Sequence, residues 1–327
     1  MKKANTNLKP INSPAAVKTH NGRFAYMMKN YWQLFAMLAV PVIYILIFNY
    51  GPMIGLQIAF KDYSSRYGMF GSPFVGFKYF IKFFNDYQFS RTIINTFRTS
   101  LYLLVVGFPF PIILALSVNL LRSPGYKKTV QMVMYAPHFI SIVVLVGTMN
   151  QIFNPYVGLY GNIYKLITGS YAPNILANPK SFIHMYVWSG VWQNMGYNSI
   201  VYLSALAGIS PDLHEAAQID GASRYKRVLH VDLPGILPTV VIMLILRCGQ
   251  IMNIGFEKIF LMQNPINISE SQVISTLVYE KSFGGSGGLE TKYSYSTAIG
   301  LFNSVVNFVL IVAVNKITSK LGETSLW

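Results

Sequence analysis

Arg247 stands in the middle of an apolar run, Leu237 to Met262, where a cation is costly unless it meets an anion or water. Gln250, Asn253 and Glu257 follow it at spacings of three, three and four, which on a helix is one stripe. A second apolar run, Phe182 to Ala207, carries Gln193 with Tyr197 and Asn194 with Asn198, each pair sharing a helical face. Amide, phenol and guanidinium groups gathered in such a setting suit the hydroxyls of a sugar, with aromatic faces against its ring. An acidic sugar would supply the anion that Arg247 lacks. Glu257 does not supply it, because on a regular helix it sits about 15 Å further along. The same groups would also serve as hydrogen-bonding contacts between the helices of two neighbouring membrane chains, worth roughly 0.6–2 kcal/mol each, and both roles stay open. Reaction chemistry is missing. There is no Gly-Lys pair to end a phosphate loop, no His-Glu-x-x-His helix and no Cys/His metal spacing. Cys248 is the single cysteine, so no intrachain disulfide forms. No catalytic residue and no metal site is expected. His138 reads as a hydrogen-bonding contact between helices.

The elements that position these groups are membrane spans. The chain has 327 residues, 53% hydrophobic and only 11% charged, against roughly 25% charged in a soluble domain. Its formal charge is +15, and much of the basic excess flanks apolar runs, which points to topology and anionic lipid rather than to nucleic acid. Residues 1–30 form a basic, polar tail whose first part is expected to be disordered and is not a cleavable signal. Six spans follow: Tyr31 to Met53, Asn95 to Leu121, Thr129 to Phe153, Phe182 to Ala207, Leu237 to Met262, and Tyr295 to Ile317. Gly107, Pro109 and Pro111 should kink the second and Pro137 should bend the third. Residues 318–327 form a short tail. In the outer segment Ile54 to Thr92, the stretch Val75 to Phe84 places Phe77, Phe80, Ile81 and Phe84 on one face and keeps Lys78 and Lys82 off it. That pattern suits a helix lying on the outer leaflet, or one packed on the protein. The Gly284 to Gly288 run reads as a flexible outer loop. Basic residues are denser on the segments this layout puts inside, which favours both termini in the cytoplasm.

Between the fourth and fifth spans lies a polar, basic stretch, Ser210 to Pro238. Ser210 is an N-cap, Pro211 fits the first helical turn, and Asp212 suits the positive helix end. A helix should run from Pro211 to Asp220, with Gly221 ending it through positive φ. A second helix, Ala222 to Leu229, carries Arg224, Lys226 and Arg227. Leu233-Pro234 and Pro238 should then break the chain before the fifth span.

Here the residues carry a resemblance. Glu215-Ala216-Ala217, three residues, Gly221, nine residues, then Val231-Asp232-Leu233-Pro234 is similar to the EAA loop of binding-protein-dependent ABC importer permeases. Val231 departs conservatively from the isoleucine that family prefers. The likeness extends from about Trp32 to Lys316 through Asn95-Thr96-Phe97, Pro137-His138-Phe139, Gly255-Phe256-Glu257 and Ala298-Ile299-Gly300-Leu301-Phe302. These, with Ile219-Asp220-Gly221-Ala222-Ser223, resemble the branch importing complex oligosaccharides, the LplB-type and alginate permeases.

The resemblance implies an all-α membrane protein with the six-helix type I importer (MetI-like) fold, multi-pass in a bacterial plasma membrane. It implies that Glu215, Ala216, Ala217, Asp220, Gly221, Leu233 and Pro234 couple the chain to a cytosolic ATPase. Glu215 would offer a carboxylate, and Ala216 and Ala217 would let a partner backbone approach. Substrate contacts would lie on the helices flanking the loop. The partners implied are two ATP-binding subunits, a second permease in a heterodimer, an extracytoplasmic solute-binding (lipo)protein, and membrane lipid, with no nucleic acid. The chain itself would bind no cofactor, and ATP and Mg²⁺ would be used by the ATPase subunits. The competing reading is a stand-alone secondary transporter or channel. It would be expected to show internal repeats and coupling carboxylates within the membrane, and no clear repeat is visible.

Overall fold

The computed structural model of the chain describes residues 29–284 and 292–321. Nearly all of the expected N-terminal tail, the last six residues and most of the glycine-rich run fall outside them. The chain divides into two units between Gln57 and Ile58.

In the first unit, α1 (Trp32–Ile45) passes through a π-helical turn, Leu46–Tyr50, into the short helix Gly51–Met53. No residue of α1 is buried within the chain, and its surface is almost wholly apolar, as a lipid-facing helix requires. Helical structure continues to Phe60 rather than stopping at Met53.

The second unit is built from α2 (Lys78–Phe84), α3 (Tyr87–Gly107), α4 (Pro109–Asn119), α5 (Pro124–Tyr135), α6 (Ile142–Ile152) and α7 (Leu159–Thr168). After these come α8 (Pro179–Ala207), α9 (Pro211–Ile219), α10 (Arg224–Arg227), α11 (Leu233–Cys248), α12 (Phe256–Met262), α13 (Ile274–Phe283) and α14 (Tyr293–Leu321). Among the described residues, extended pairing is limited to one isolated bridge, Lys61 with Phe74. Among the described residues, four helical stretches are long and apolar enough to cross a membrane: Trp32–Phe60, Tyr87–Asn119, Arg224–Cys248 and Tyr293–Lys320. The pair α5 and α6, bent by 93° around the turn Ala136–Phe139, makes a fifth if counted as one. With 29 residues α8 is as long as α14, but it is more polar.

The kinks fall where prolines were expected to put them. Phe108 separates α3 from α4 because Pro109 has no N–H to continue the ladder. Pro137 lies in the bend between α5 and α6. α3 is unlike a soluble helix: its fully buried residues are Gln88, Thr92, Asn95, Thr96, Thr99 and Ser100, while Ile94, Phe97, Leu101 and Val105 are exposed. In lipid that is the stable orientation, because polar groups find partners only inside the protein. Asn95 donates to the carbonyls of Ser269 and Gln272, at 2.9 and 3.1 Å, and Thr96 Oγ1 accepts from the Ile274 N–H.

The outer helix α2 starts at Lys78 rather than Val75. Phe77, Ile81 and Phe84 are exposed, while Phe83, on the opposite side, is buried among Phe89, Tyr295 and Phe302. Phe77 and Ile81 therefore look away from the protein, as they would on a membrane surface, while Phe84 also packs on Phe89 and Phe302. Two carboxylates pin this segment. The Tyr79 hydroxyl and the Lys78 ammonium hold Asp62 below the usual carboxylate range. Burial alone would raise Asp86, but the Gln88 N–H and the Tyr295 hydroxyl outweigh it and leave Asp86 depressed too.

Two expectations about the fifth span are corrected. The chain does not break at Pro234 and Pro238. α10 runs through a π-helical turn, Val228–Asp232, directly into α11, which makes one helical stretch from Arg224 to Cys248. A wide turn is already without the regular i→i−4 bonds, so a proline just after it removes little. Instead the break comes later. α11 ends at Cys248, and residues 249–255 form open turns before α12 begins at Phe256. The segment Gly249-Gln250-Ile251-Met252-Asn253-Ile254-Gly255 is rich in weak helix formers. Its backbone is held from outside, with the Met252 N–H donating to Asn307 Oδ1 at 3.1 Å. At the C-terminal end, α14 reaches Leu321, so the expected tail from residue 318 starts as helix.

One polar hub lies in the segment between α12 and α13. Asn267, fully buried, donates to the Leu176 and Met262 carbonyls and accepts from the Asn264 N–H and the Ser271 hydroxyl. Asn267→Ala orphans several of these groups at once and should destabilise the protein by about 3 kcal/mol, read as a lower thermal midpoint in detergent.

Candidate functional site

A cavity of about 380 Å³ opens where the α3–α4 kink, the middle of α8 and the end of α11 come together. Gly107 and Phe108 line it at the kink, Gly190, Asn194 and Asn198 along α8, and Arg247, Gln250 and Asn253 at and beyond the end of α11. The fourth- and fifth-span midpoints inferred from the sequence therefore do meet. The break at residues 249–255 presents Gln250 and Asn253 to the cavity from turns, not from a helical stripe.

The expected contacts separate into two groups. Gln193 is buried, and its Nε2 donates to the Ile140 carbonyl at 2.8 Å. Asn194 donates to the Gly190 carbonyl, and its Oδ1 meets His138 Nδ1 at 3.0 Å. Tyr197 stacks on the His138 ring with centroids 3.9 Å apart and does not line the cavity. These three fasten α8 to the bend between α5 and α6 within the chain, a role different from the contact between neighbouring chains left open above; His138 has the helix-bridging role read for it. Asn198, Arg247, Gln250 and Asn253 form the second group. Their side chains have no hydrogen-bond or ion-pair partner among the described residues and border the open volume. Glu257 belongs to neither group. It is exposed on the first turn of α12 and does not line the cavity, because the break removes it from the stripe.

A residue that the stripe argument passed over is Lys258. It is 6% exposed, lines the cavity, donates from Nζ to the Tyr186 carbonyl at 3.0 Å, and lies over the Tyr186 ring. The signal was a lysine inside an apolar run, as informative in principle as Arg247. No aspartate or glutamate among the described residues lines the cavity, so Arg247 and Lys258 face no carboxylate there. Arg247 also sits in the last turn of α11, where the helix's negative end favours it.

The hairpin at the other end of α11 has the expected form. Ser210 Oγ accepts from the Asp212 N–H, Pro211 opens α9, Asp220 caps it, and Gly221 turns the corner with φ +73°. The second helix begins at Arg224, with Ser223 as its N-cap, rather than at Ala222. Glu215, Ala216, Asp220 and Gly221 are exposed, Ala217 is half-buried, and Ile219 is 87% exposed. Leu233 and Pro234 stand at the foot of α11. Residues 107–322, which include the kink, the hairpin and the cavity end of α11, match the family model described as binding-protein-dependent transport system inner membrane component. The chain belongs to that family.

The permease is 38% identical to protein LplB of Bacillus subtilis (strain 168) over 303 residues, 93% of each chain. It is 35% identical to the polygalacturonan/rhamnogalacturonan transport system permease protein YteP of the same organism, over 90% of each. Its fold superposes on a chain of a bacterial ABC transporter involved in the import of the acidic polysaccharide alginate, with TM-score 0.81 and 39% identity, covering 91% of this chain and 99% of that one. The permease is thus an integral membrane transport component of MetI-like fold. The stand-alone transporter reading gains nothing from these relatives.

Proposed function

We propose that this permease is the membrane subunit of an ABC importer that carries a carboxylated oligosaccharide across a bacterial plasma membrane. The observation that carries the substrate class is the cavity itself, in which, among the described residues, two cations and three amides without a hydrogen-bond partner are presented with no acid among them. A carboxylate would meet Arg247 and Lys258, and ring hydroxyls would meet Asn198, Gln250 and Asn253. The named cargoes of YteP and of the alginate transporter support a sugar of this kind.

In this reading the six spans are Trp32–Phe60, Tyr87–Asn119, the bent pair α5–α6, α8, Arg224–Cys248 with α12, and α14, and both termini are cytoplasmic. Glu215, Ala216, Ala217, Asp220, Gly221, Leu233 and Pro234 form the docking face for one of two cytosolic ATP-binding subunits, where ATP and Mg²⁺ are used. A second permease completes the core and an external binding protein delivers the sugar.

The test compares uptake of oligogalacturonate with that of its methyl ester by the reconstituted complex. The parent should prefer the acid. Arg247→Gln and Lys258→Met should each cut acid uptake about ten- to hundred-fold, the loss of one charged hydrogen bond, and leave ester uptake near its former rate. Equal transport of acid and ester by the parent would sink the substrate class.

A further inference from the structure

The hairpin contains a joint. α9 is linked to α10 only through the Gly221 corner, and to α8 through Gly208 and Ile209. A helix hung on two such links is free to swing without moving α11. Two side-chain contacts oppose this. His214, half-buried on α9, places Nε2 3.4 Å from Oδ1 of Asp232. Asp232 is 3% exposed and lies in the π-helical turn at the foot of α11. Ahead of α9, Ile209 packs so tightly on the foot of α11 that a Cβ at Gly235 would fall 2.6 Å from its Cδ1.

Stability alone is a poor reason for such a pair, since apolar residues of the same shape usually join helices as firmly as a buried ion pair does. A histidine–carboxylate contact adds a defined register, and buried Asp232 Oδ1 has no hydrogen-bond partner of its own among the described residues. Asp232 has His214 on the α9 side and the Arg227 charge on the α10 side, so it is the point where the three helical pieces of the hairpin converge. Above it the helix is unbroken from Arg224 to Cys248, 25 residues, and ends beside the cavity at Arg247.

We propose that the His214–Asp232 pair is a strut that makes α9 move with α11, so that a displacement of the docking helix is delivered to the Arg247 end of the cavity. Both are positioning residues; neither touches the cargo. The proposal rests on the reading that α9 docks the ATP-driven subunits, and its test separates the two.

The complete complex carries a spin label at Leu246→Cys, in the last turn of α11, in a Cys248→Ala background. The spectrum is recorded before and after MgATP with vanadate, with no sugar present. In the parent complex the label should respond to the nucleotide. In His214→Ala, and equally in Asp232→Asn, the ATPase subunits should still co-purify and hydrolyse ATP, while the nucleotide-dependent change shrinks about ten-fold, the scale of an ordinary coupling energy. The exchanged pair His214→Asp with Asp232→His should recover most of it. A full response in His214→Ala overturns the strut and leaves docking intact. Loss of ATPase co-purification in both single variants also overturns it, since the pair would then shape the docking face. No response in the parent complex removes the docking reading, and the strut with it.

Discussion

Gly196→Ala should leave almost no correctly folded permease in the membrane. α8 and α5 touch backbone to backbone there, and an added Cβ would lie 1.9 Å from the Met134 carbonyl oxygen and 2.6 Å from its carbon. Neither atom belongs to a side chain that can rotate away, so the two helices must separate. Overpacking a well-filled core costs about 1–3 kcal/mol and more where the backbone has to shift. Separation here also undoes the His138–Asn194 hydrogen bond and the His138–Tyr197 stack, made two residues before Gly196 and one after it. We expect more than about 3 kcal/mol, seen as loss of the monodisperse peak after extraction in mild detergent. Gly147→Ala is the control. Nothing lies within 4 Å of a Cβ at that position, and its effect should stay within about 0.5 kcal/mol. A normal peak for Gly196→Ala would show that α5 and α8 are not in contact as described.

Ile219→Asp should separate folding from transport. Ile219 is the last residue of α9, 87% exposed and beside the Gly221 corner, where an isoleucine stabilises nothing within the chain. If α9 docks in a groove of a partner, this side chain is its apolar anchor. Placing a charge there should weaken docking by about 3 kcal/mol, roughly a hundred-fold in affinity. The permease should extract and melt like the parent, but ATP-binding subunits should no longer co-purify and ATP-driven uptake should fall in proportion. Glu215→Ala should act in the same direction and less strongly, since an exposed carboxylate contributes less than a buried apolar anchor. Unchanged uptake in Ile219→Asp would remove α9 from the docking face.

The amino-acid sequence by itself determined the class of protein, because hydropathy and length act additively along a chain and need no knowledge of neighbours. It determined the hairpin for a similar reason. Ser210, Pro211 and Gly221 cap and turn α9 through bonds to residues close in sequence, and such chemistry is readable locally. The kink at Phe108 and the bend at Pro137 were legible because proline removes a donor wherever it stands. Tertiary structure decided the rest. Pro234 stays within a helix because the π-helical turn before it relieves the proline, and that turn is not encoded in any residue pair nearby; Pro238 is carried inside α11. Residues 249–255 open instead, with Asn307 of α14 holding the Met252 N–H. That opening took Glu257 out of the stripe and brought Lys258 to the cavity wall. Gln193, Asn194 and Tyr197 look as available in the sequence as Asn198, Gln250 and Asn253. What separates them is whether a partner from a distant segment, Ile140 or His138, has already taken their hydrogen bonds or ring faces. Residue type fixes what a side chain is able to bond, but which bond it makes depends on what the fold places within about 3 Å of it.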